Sequence, residues 1–406
     1  MIKRKYLYIP ILILITIVSL KLQSFVSSKE PPKEQIEIPI EAPLPSQLYE
    51  IQEIISKYDS ILSSEIIESG TVGAAVVITY KNEIALLKCF GVQKLGEKKP
   101  INKNTVFRLA SVSKTITGVL AGILSDEGTV GLEDKVTKYL PEFKLKNPES
   151  TSKITIENLL SHTSGLIPHA YDNLIEEHVS MGKIMEKLQE VDISAEPGKL
   201  YGYQNVMFSL YDTIIHIKTS KNYSSLVSEK VFEPFGMKDA TTSFEDFYNN
   251  DNKAFPHNGG NGKFHTLRLN NRYYSTAPAA GVNASILDMS QFLLTLLNEK
   301  STVITDDIRK LIFTPQIVSP LRRNYFRRWD KVDSKQYSIG WRIVGYKGRS
   351  IAYHGGYVQG YRAEVALCKE EEIGIVFLSN SPNVIGAKSV PTFLNLLFEL
   401  KDHQKI

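Results

Sequence analysis

Cysteine is scarce in this chain of 406 residues: it occurs twice, as Cys89 and Cys368. Without paired cysteine spacing, neither a thiolate zinc site nor an iron–sulfur cluster can be assembled. Both cysteines stand in apolar, strand-like runs, residues 85–90 and 364–368, where a thiol reads as a small core side chain. A disulfide between them would need Cα atoms about 4.4–6.8 Å apart, which sequence cannot show. An excess of one charge is also lacking. The 48 Lys and Arg against 44 Asp and Glu leave a formal charge of +4, too small over this length to recruit nucleic acid. There is no internal repeat of fixed period. No Gly-x-Ser-x-Gly elbow surrounds a nucleophile for a Ser-His-Asp hydrolase. His162 and His169 lie seven apart with no His-Glu-x-x-His motif, so metal ligation is not indicated.

What is present begins at the N-terminus. Lys3, Arg4 and Lys5 precede an apolar run over residues 6–20, followed by Lys21. A basic flank before a short apolar stretch is the pattern of an export signal, and the stretch is slightly short of the roughly 20 residues of a membrane-spanning helix. Residues 1–26 therefore read as a signal peptide or a membrane anchor, and either delivers the rest of the chain to the outer side of a membrane. Residues 27–45 carry Pro31, Pro32, Pro39, Pro43 and Pro45 among Glu and Lys, the composition of an extended tether.

Residues 46–402 remain for the folded body. Apolar residues at helical spacing mark a first helix over 46–67. Two β-branched runs, 72–80 and 83–90, flank Lys81-Asn82 as a hairpin. Near the other end, 350–353, 361–368 and 373–379 are three further strands, and 390–400 is a covering helix. The expectation is an α+β fold: a five-stranded antiparallel sheet flanked by helices, built from 46–145 and 285–402. A mainly helical lobe over 146–284 is inserted in it, with helices at 154–162, 181–190, 206–218 and 223–235.

The strongest local signal is Phe107-Arg108-Leu109-Ala110-Ser111-Val112-Ser113-Lys114, followed by a helical apolar pattern that ends at Gly128. On a helix beginning near Ser111, Lys114 falls on the same face one turn later. A serine hydroxyl is a weak nucleophile until a neighbour takes its proton, and a desolvated lysine amine can do so once its pKa drops. The helix N-terminus adds positive potential where an oxyanion would form. Alone, Ser-x-x-Lys is a common accident. Further along, Tyr203-Gln204-Asn205 offers a phenol and a carboxamide at a loop-to-helix junction. His354-Gly355-Gly356 closes a strand with two glycines that let a substrate approach the backbone.

In this order and spacing the chain resembles the serine β-lactamase and penicillin-binding protein family, and within it the class C-related branch with a Tyr-x-Asn middle motif. The similarity runs from about Val72 to Asn380. It includes Leu159-Leu160-Ser161-His162-Thr163-Ser164-Gly165-Leu166, Pro234-Phe235-Gly236-Met237 and Gly281-Val282-Asn283 before Asp288-Met289. The resemblance implies a β-lactamase/transpeptidase-like fold and a serine hydrolase working through a covalent acyl-enzyme on a β-lactam, a D-amino-acid peptide or an ester. It implies Ser111 as the acylated nucleophile, Lys114 as its base and Tyr203 as a second acid/base group. Asn205 would bind the substrate amide, with His354, Gly355 and Gly356 lining the substrate site. The backbone N–H groups of Ser111 and Tyr357 would form the oxyanion hole. His162 takes a structural hydrogen-bonding role, and neither metal nor organic cofactor is implied.

One departure matters: His354 stands where β-lactamases usually have lysine, so reading of a substrate carboxylate should weaken. Two alternatives stay open, a carboxylesterase with little β-lactamase activity and a slowly deacylating penicillin-binding or cell-wall sensing module. The expected partner is a small-molecule or cell-wall peptide substrate, with a membrane contact through the N-terminus if that segment is kept. The basic, aromatic stretch 322–329 reads as a solvated surface loop, with attraction to anionic wall polymer or lipid as the alternative.

Overall fold

The structure is a computed structural model, which describes residues 46–260, 262–320, 326–330, 332–382 and 384–403. The expected export segment and tether lie outside these residues, as do positions 322–325 of the basic stretch. Among the described residues no helix is long and apolar enough to cross a membrane.

The strand patterns assemble one antiparallel sheet. β1 (Gly73–Tyr80) and β2 (Glu83–Gly91) form the expected hairpin. Lys81 and Asn82 both take positive φ at its turn, 46° and 65°, as a two-residue loop of the I′ kind demands. The remaining strands of this sheet are β3 (Ile317–Val318), β4 (Val332–Tyr337), β5 (Arg342–Tyr346), β6 (Arg349–Val358), β7 (Tyr361–Cys368) and β8 (Ile373–Ser379). They pair in the order β2-β1-β8-β7-β6-β5-β4-β3. β8 pairs with β1, so strands far apart in sequence are neighbours in the sheet: Val76 faces Phe377 and Val77 faces Val376.

The sheet has eight strands, not five. The three that sequence analysis missed lie together at one end of the sheet; β5 is buried but only five residues long, and the outer two carry no apolar pattern. β4 reads Val-Asp-Ser-Lys-Gln-Tyr and is fully buried only at Tyr337, and β3 has two residues. β6 is longer than expected and runs through His354-Gly355-Gly356 to Val358, so this motif lies inside a strand and not at its end.

Both faces of the sheet are covered, and β1 shows it by alternation: Ala75 and Val77 face one core, Ala74, Val76, Ile78 and Tyr80 the other. The second core is closed by α1 (Gln52–Ser69) and the C-terminal helix α6 (Val384–His403). The first is built on α2 (Ser113–Asp126), the short α3 (Asp172–Glu176), α4 (Asn205–Thr219) and α5 (Ile286–Leu297). The helix expected over 223–235 is broken into Tyr223–Val227, a π turn Ser228–Phe232 and Glu233–Phe235, because Pro234 has no N–H to continue the ladder.

Cys89 and Cys368 are free and buried. They lie on β2 and β7, three strand spacings or about 14 Å apart across the sheet, too far to bridge. Burial pushes both thiols up to about 12. From the basic stretch, Phe326 and Trp329 are not solvated: they pack in the second core, with Trp329 edge-on to Tyr346 and Tyr353 at 4.9 and 5.2 Å.

Candidate active site

α2 is buried on every side from Ser113 to Leu124, so its N-terminal turn is held rigidly at the edge of the first core. Ser111 is half-buried, in the 3₁₀ turn Ala110–Val112 that leads into this helix. Ala110 takes φ 48°, a conformation that L-residues avoid. The turn is wedged against β6. A Cβ on Gly356 would come 2.4 Å from the Leu109 carbonyl oxygen and 3.0 Å from the Ser111 nitrogen. Only glycine permits this approach, which sets the Ser111 backbone amide against the strand that carries Tyr357.

Lys114 follows in the first turn of α2 and is fully buried. Its Nζ donates to Asn205 Oδ1 at 2.7 Å and to the Ala279 carbonyl at 2.9 Å. The ammonium position lies over the Tyr203 ring at 4.6 Å and the Phe208 ring at 5.4 Å. Burial holds its pKa well below the usual lysine value, Asp172 pulls the other way, and the Arg342 cation lowers it further. The loop between β4 and β5 closes over this turn: Gly340, at φ 76°, lies so near that a Cβ would meet the Lys114 carbonyl at 2.1 Å.

Tyr203 is half-buried just before α4, whose first residue is Asn205. Its ring stacks obliquely on His162 at 4.3 Å and lies 5.4 Å from His169 and 6.4 Å from His354. Asn205 spends both ends of its carboxamide on the protein, accepting from Lys114 and donating from Nδ2 to Asp172 Oδ2 at 2.9 Å. Asp172 Oδ2 also pairs with His169 Nδ1 at 2.7 Å. The carboxamide that the resemblance directs at a substrate amide is thus first a brace for the lysine.

Two buried histidines, His162 and His354, line the site, and both are held toward the neutral form. His162 Nδ1 accepts from the Gln204 N–H at 3.2 Å, which places its proton on Nε2. That matches the structural hydrogen-bonding role expected for it. His354 Nδ1 lies 2.9 Å from the Gly355 carbonyl, which only accepts, so Nδ1 carries the proton and Nε2 accepts from Tyr337 Oη at 3.2 Å. Burial first, then Arg342 and Lys114, hold His354 well below the normal imidazole range. For His162 the order is burial, Lys114 and Arg342. With 1 % of its surface exposed and both nitrogens bonded within the protein, His354 shapes the wall rather than presenting a cation to the cleft. Gly355 and Gly356 pair with Glu364 and Ala363 on β7. Tyr357 is more than half exposed beside them.

Three residues of this constellation carried no sequence signal. Arg342 on β5 donates to Tyr201 Oη at 3.1 Å and lies 5.6 Å from the Tyr203 ring. Tyr337 holds His354, and Asp172 holds Asn205. Arg342 and Tyr337 belong to strands that pattern analysis missed, and Asp172 opens a five-residue helix too short to show a period. Among the described residues no group of three His, Cys, Asp or Glu side chains is arranged to hold a metal ion.

Residues 51–392 match the family described as Beta-lactamase. The chain is 25% identical over 370 residues to Beta-lactamase-like protein 2 of Dictyostelium discoideum, a match covering 86% of this chain and 65% of that protein. It is 22% identical over 363 residues to protein flp of Staphylococcus aureus, covering 86% and 70%. Among solved structures, the octameric penicillin-binding protein homologue of Pyrococcus abyssi superposes with a TM-score of 0.74 at 21% identity, covering 86% of this chain and 77% of that one.

Proposed function

The chain belongs to the β-lactamase family, and from that premise we propose that it is a serine hydrolase that forms a covalent acyl-enzyme on Ser111 from an amide or ester substrate. One observation carries the reading: a fully buried, neutral-leaning Lys114 in the first turn of the helix that Ser111 introduces. In this reaction the Lys114 amine takes the Ser111 proton as Oγ attacks the substrate carbonyl. The oxyanion is held by the backbone N–H groups of Ser111 and Tyr357. Tyr203, over which the Lys114 amine sits, hands the proton to the leaving group and then helps water to release the acyl group. Ser111→Ala should abolish labelling by a serine-reactive fluorophosphonate; labelling that persists at the wild-type rate overturns the assignment.

A carboxylesterase working on neutral esters is the reading of substrate favoured by His354, which is neutral and internally bonded where a fixed cation would read a carboxylate. Comparing turnover of a chromogenic neutral ester, a chromogenic cephalosporin and a D-alanyl peptide ranks the classes. A long-lived adduct with fluorescent penicillin, without ester turnover, would instead mark a sensing module. We place the enzyme outside the membrane on the pattern of residues 1–26. Fractionation of cells expressing the full chain, with N-terminal sequencing of the product, tests both export and cleavage.

A further inference from the structure

Resting on Lys114 as the base, we propose that Asp172, acting through the Asn205 carboxamide, is a positioning residue for the catalytic lysine, and that His169 at the protein surface modulates it. Three contacts form an unbroken line: Lys114 Nζ to Asn205 Oδ1 at 2.7 Å, Asn205 Nδ2 to Asp172 Oδ2 at 2.9 Å, and the same Oδ2 to His169 Nδ1 at 2.7 Å. A carboxamide has a donor end and an acceptor end. With Asp172 receiving the N–H, the oxygen must face Lys114. A flipped amide would set its NH2 against the amine and its oxygen against the carboxylate, two unfavourable contacts at once. The carboxylate therefore fixes which way Asn205 points, and Asn205 in turn fixes the lysine.

Asp172 also acts through its charge. Its other oxygen, Oδ1, is buried without a hydrogen-bond partner, so its charge is poorly dissipated. The charged and titratable groups around Lys114 are Arg342 from β5, His354 from β6, His162, His169 and Tyr203 from the loops, and Asp172 from α3. Among these Asp172 is the acid. It opposes Arg342 and keeps Lys114 from losing all affinity for the proton it must accept. His169 is the outer end of the line, with most of its side chain exposed. Its backbone, at φ 61°, donates to the Tyr203 carbonyl at 2.8 Å, which ties the pair to the loop of the second acid/base group. Through its 2.7 Å contact with Oδ2, His169 shares the Asp172 charge, so the carboxylate favours the Lys114 ammonium less than it would without this partner.

The test is the pH dependence of the second-order rate of fluorophosphonate labelling on the full chain. Labelling by a neutral Lys114 rises as pH climbs through the lysine pKa. Asp172→Asn keeps the shape, removes the charge that favours the ammonium, and should move this acidic limb down by about one pH unit. It should also lower the plateau rate. His169→Ala, at an exposed site where folding is not at stake, should move the limb the other way. A merely structural role would lower the rate without moving either limb. Unmoved limbs in both variants, or a limb unmoved in His169→Ala where Asp172→Asn does not fold, overturn the inference. Lys114→Ala separates the two levels: labelling retained there removes the base assignment itself, whereas labelling lost there with unmoved limbs removes only the role of Asp172 and His169.

Discussion

Tyr337 Oη and His354 Nε2 meet at 3.2 Å inside the protein, and the opposite ring nitrogen is held by the Gly355 carbonyl. Sequence reasoning makes His354 the residue that reads substrate charge and predicts that His354→Lys favours carboxylate-bearing substrates. The structure argues against that expectation, because a lysine there would be buried near Arg342 and Lys114 and would replace the imidazole nitrogen that faces Tyr337 Oη. The variant should melt at lower temperature and lose activity on a neutral ester and its carboxylate analogue in equal proportion. A buried unpaired partner costs about 1–3 kcal/mol. A kcat/KM ratio between the two substrates that shifts tenfold toward the carboxylate would restore the charge-reading role.

Ser111 and Lys114 should behave as one unit. Lys114→Ala is expected to slow labelling by about three orders of magnitude or more, and Ser111→Ala/Lys114→Ala to be no slower in substrate turnover than Ser111→Ala alone. Additive losses in the double variant would show that the lysine does not serve the serine.

Gly356→Ala tests the approach of β6 to the nucleophile turn. The new Cβ would stand 2.4 Å from the Leu109 carbonyl oxygen and 3.1 Å from the Ala110 Cβ, so the turn must move. Displacements of this kind cost about 100-fold in rate, with an overpacking penalty of about 1–3 kcal/mol in stability. Gly182→Ala, where nothing lies within 4 Å, serves as the control. Equal melting temperatures and labelling rates in the two variants would refute the wedge.

Acid should destabilise the protein through His162 and His354. Both have folded pKa values lowered well below 6.5 by burial and nearby cations. The unfolded chain therefore binds more protons, and stability present above the unfolded pKa of about 6.5 is lost as pH falls toward the folded values. The slope should reach at most about 1.4 kcal/mol per pH unit for each imidazole. Urea unfolding at pH 7 and pH 5 in wild type and His354→Gln checks it: the variant should lose less stability on acidification. Parallel curves would mean that His354 titrates normally.

Legibility followed the physics of each residue. The proposed pairing of Ser111 with Lys114 was legible because it is local: two residues three apart where a helix begins fall on one face wherever that helix lies. The same holds for the β1–β2 hairpin, whose turn residues dictate its geometry, and for β7 and β8, whose apolar runs record burial on both faces. β4 is mostly exposed and carries no such record, and β5, though buried, is only five residues long and includes Gly345; with them Tyr337 and Arg342 were hidden. Whether His354 carries charge, whether Asn205 faces substrate or lysine, and whether Cys89 can reach Cys368 depend on which groups are brought together from distant strands and how dry their meeting place is. Burial and proximity are properties of the packed fold, and only the tertiary structure decided them: an internally bonded His354, an Asn205 braced between Lys114 and Asp172, and two thiols held three strand spacings apart.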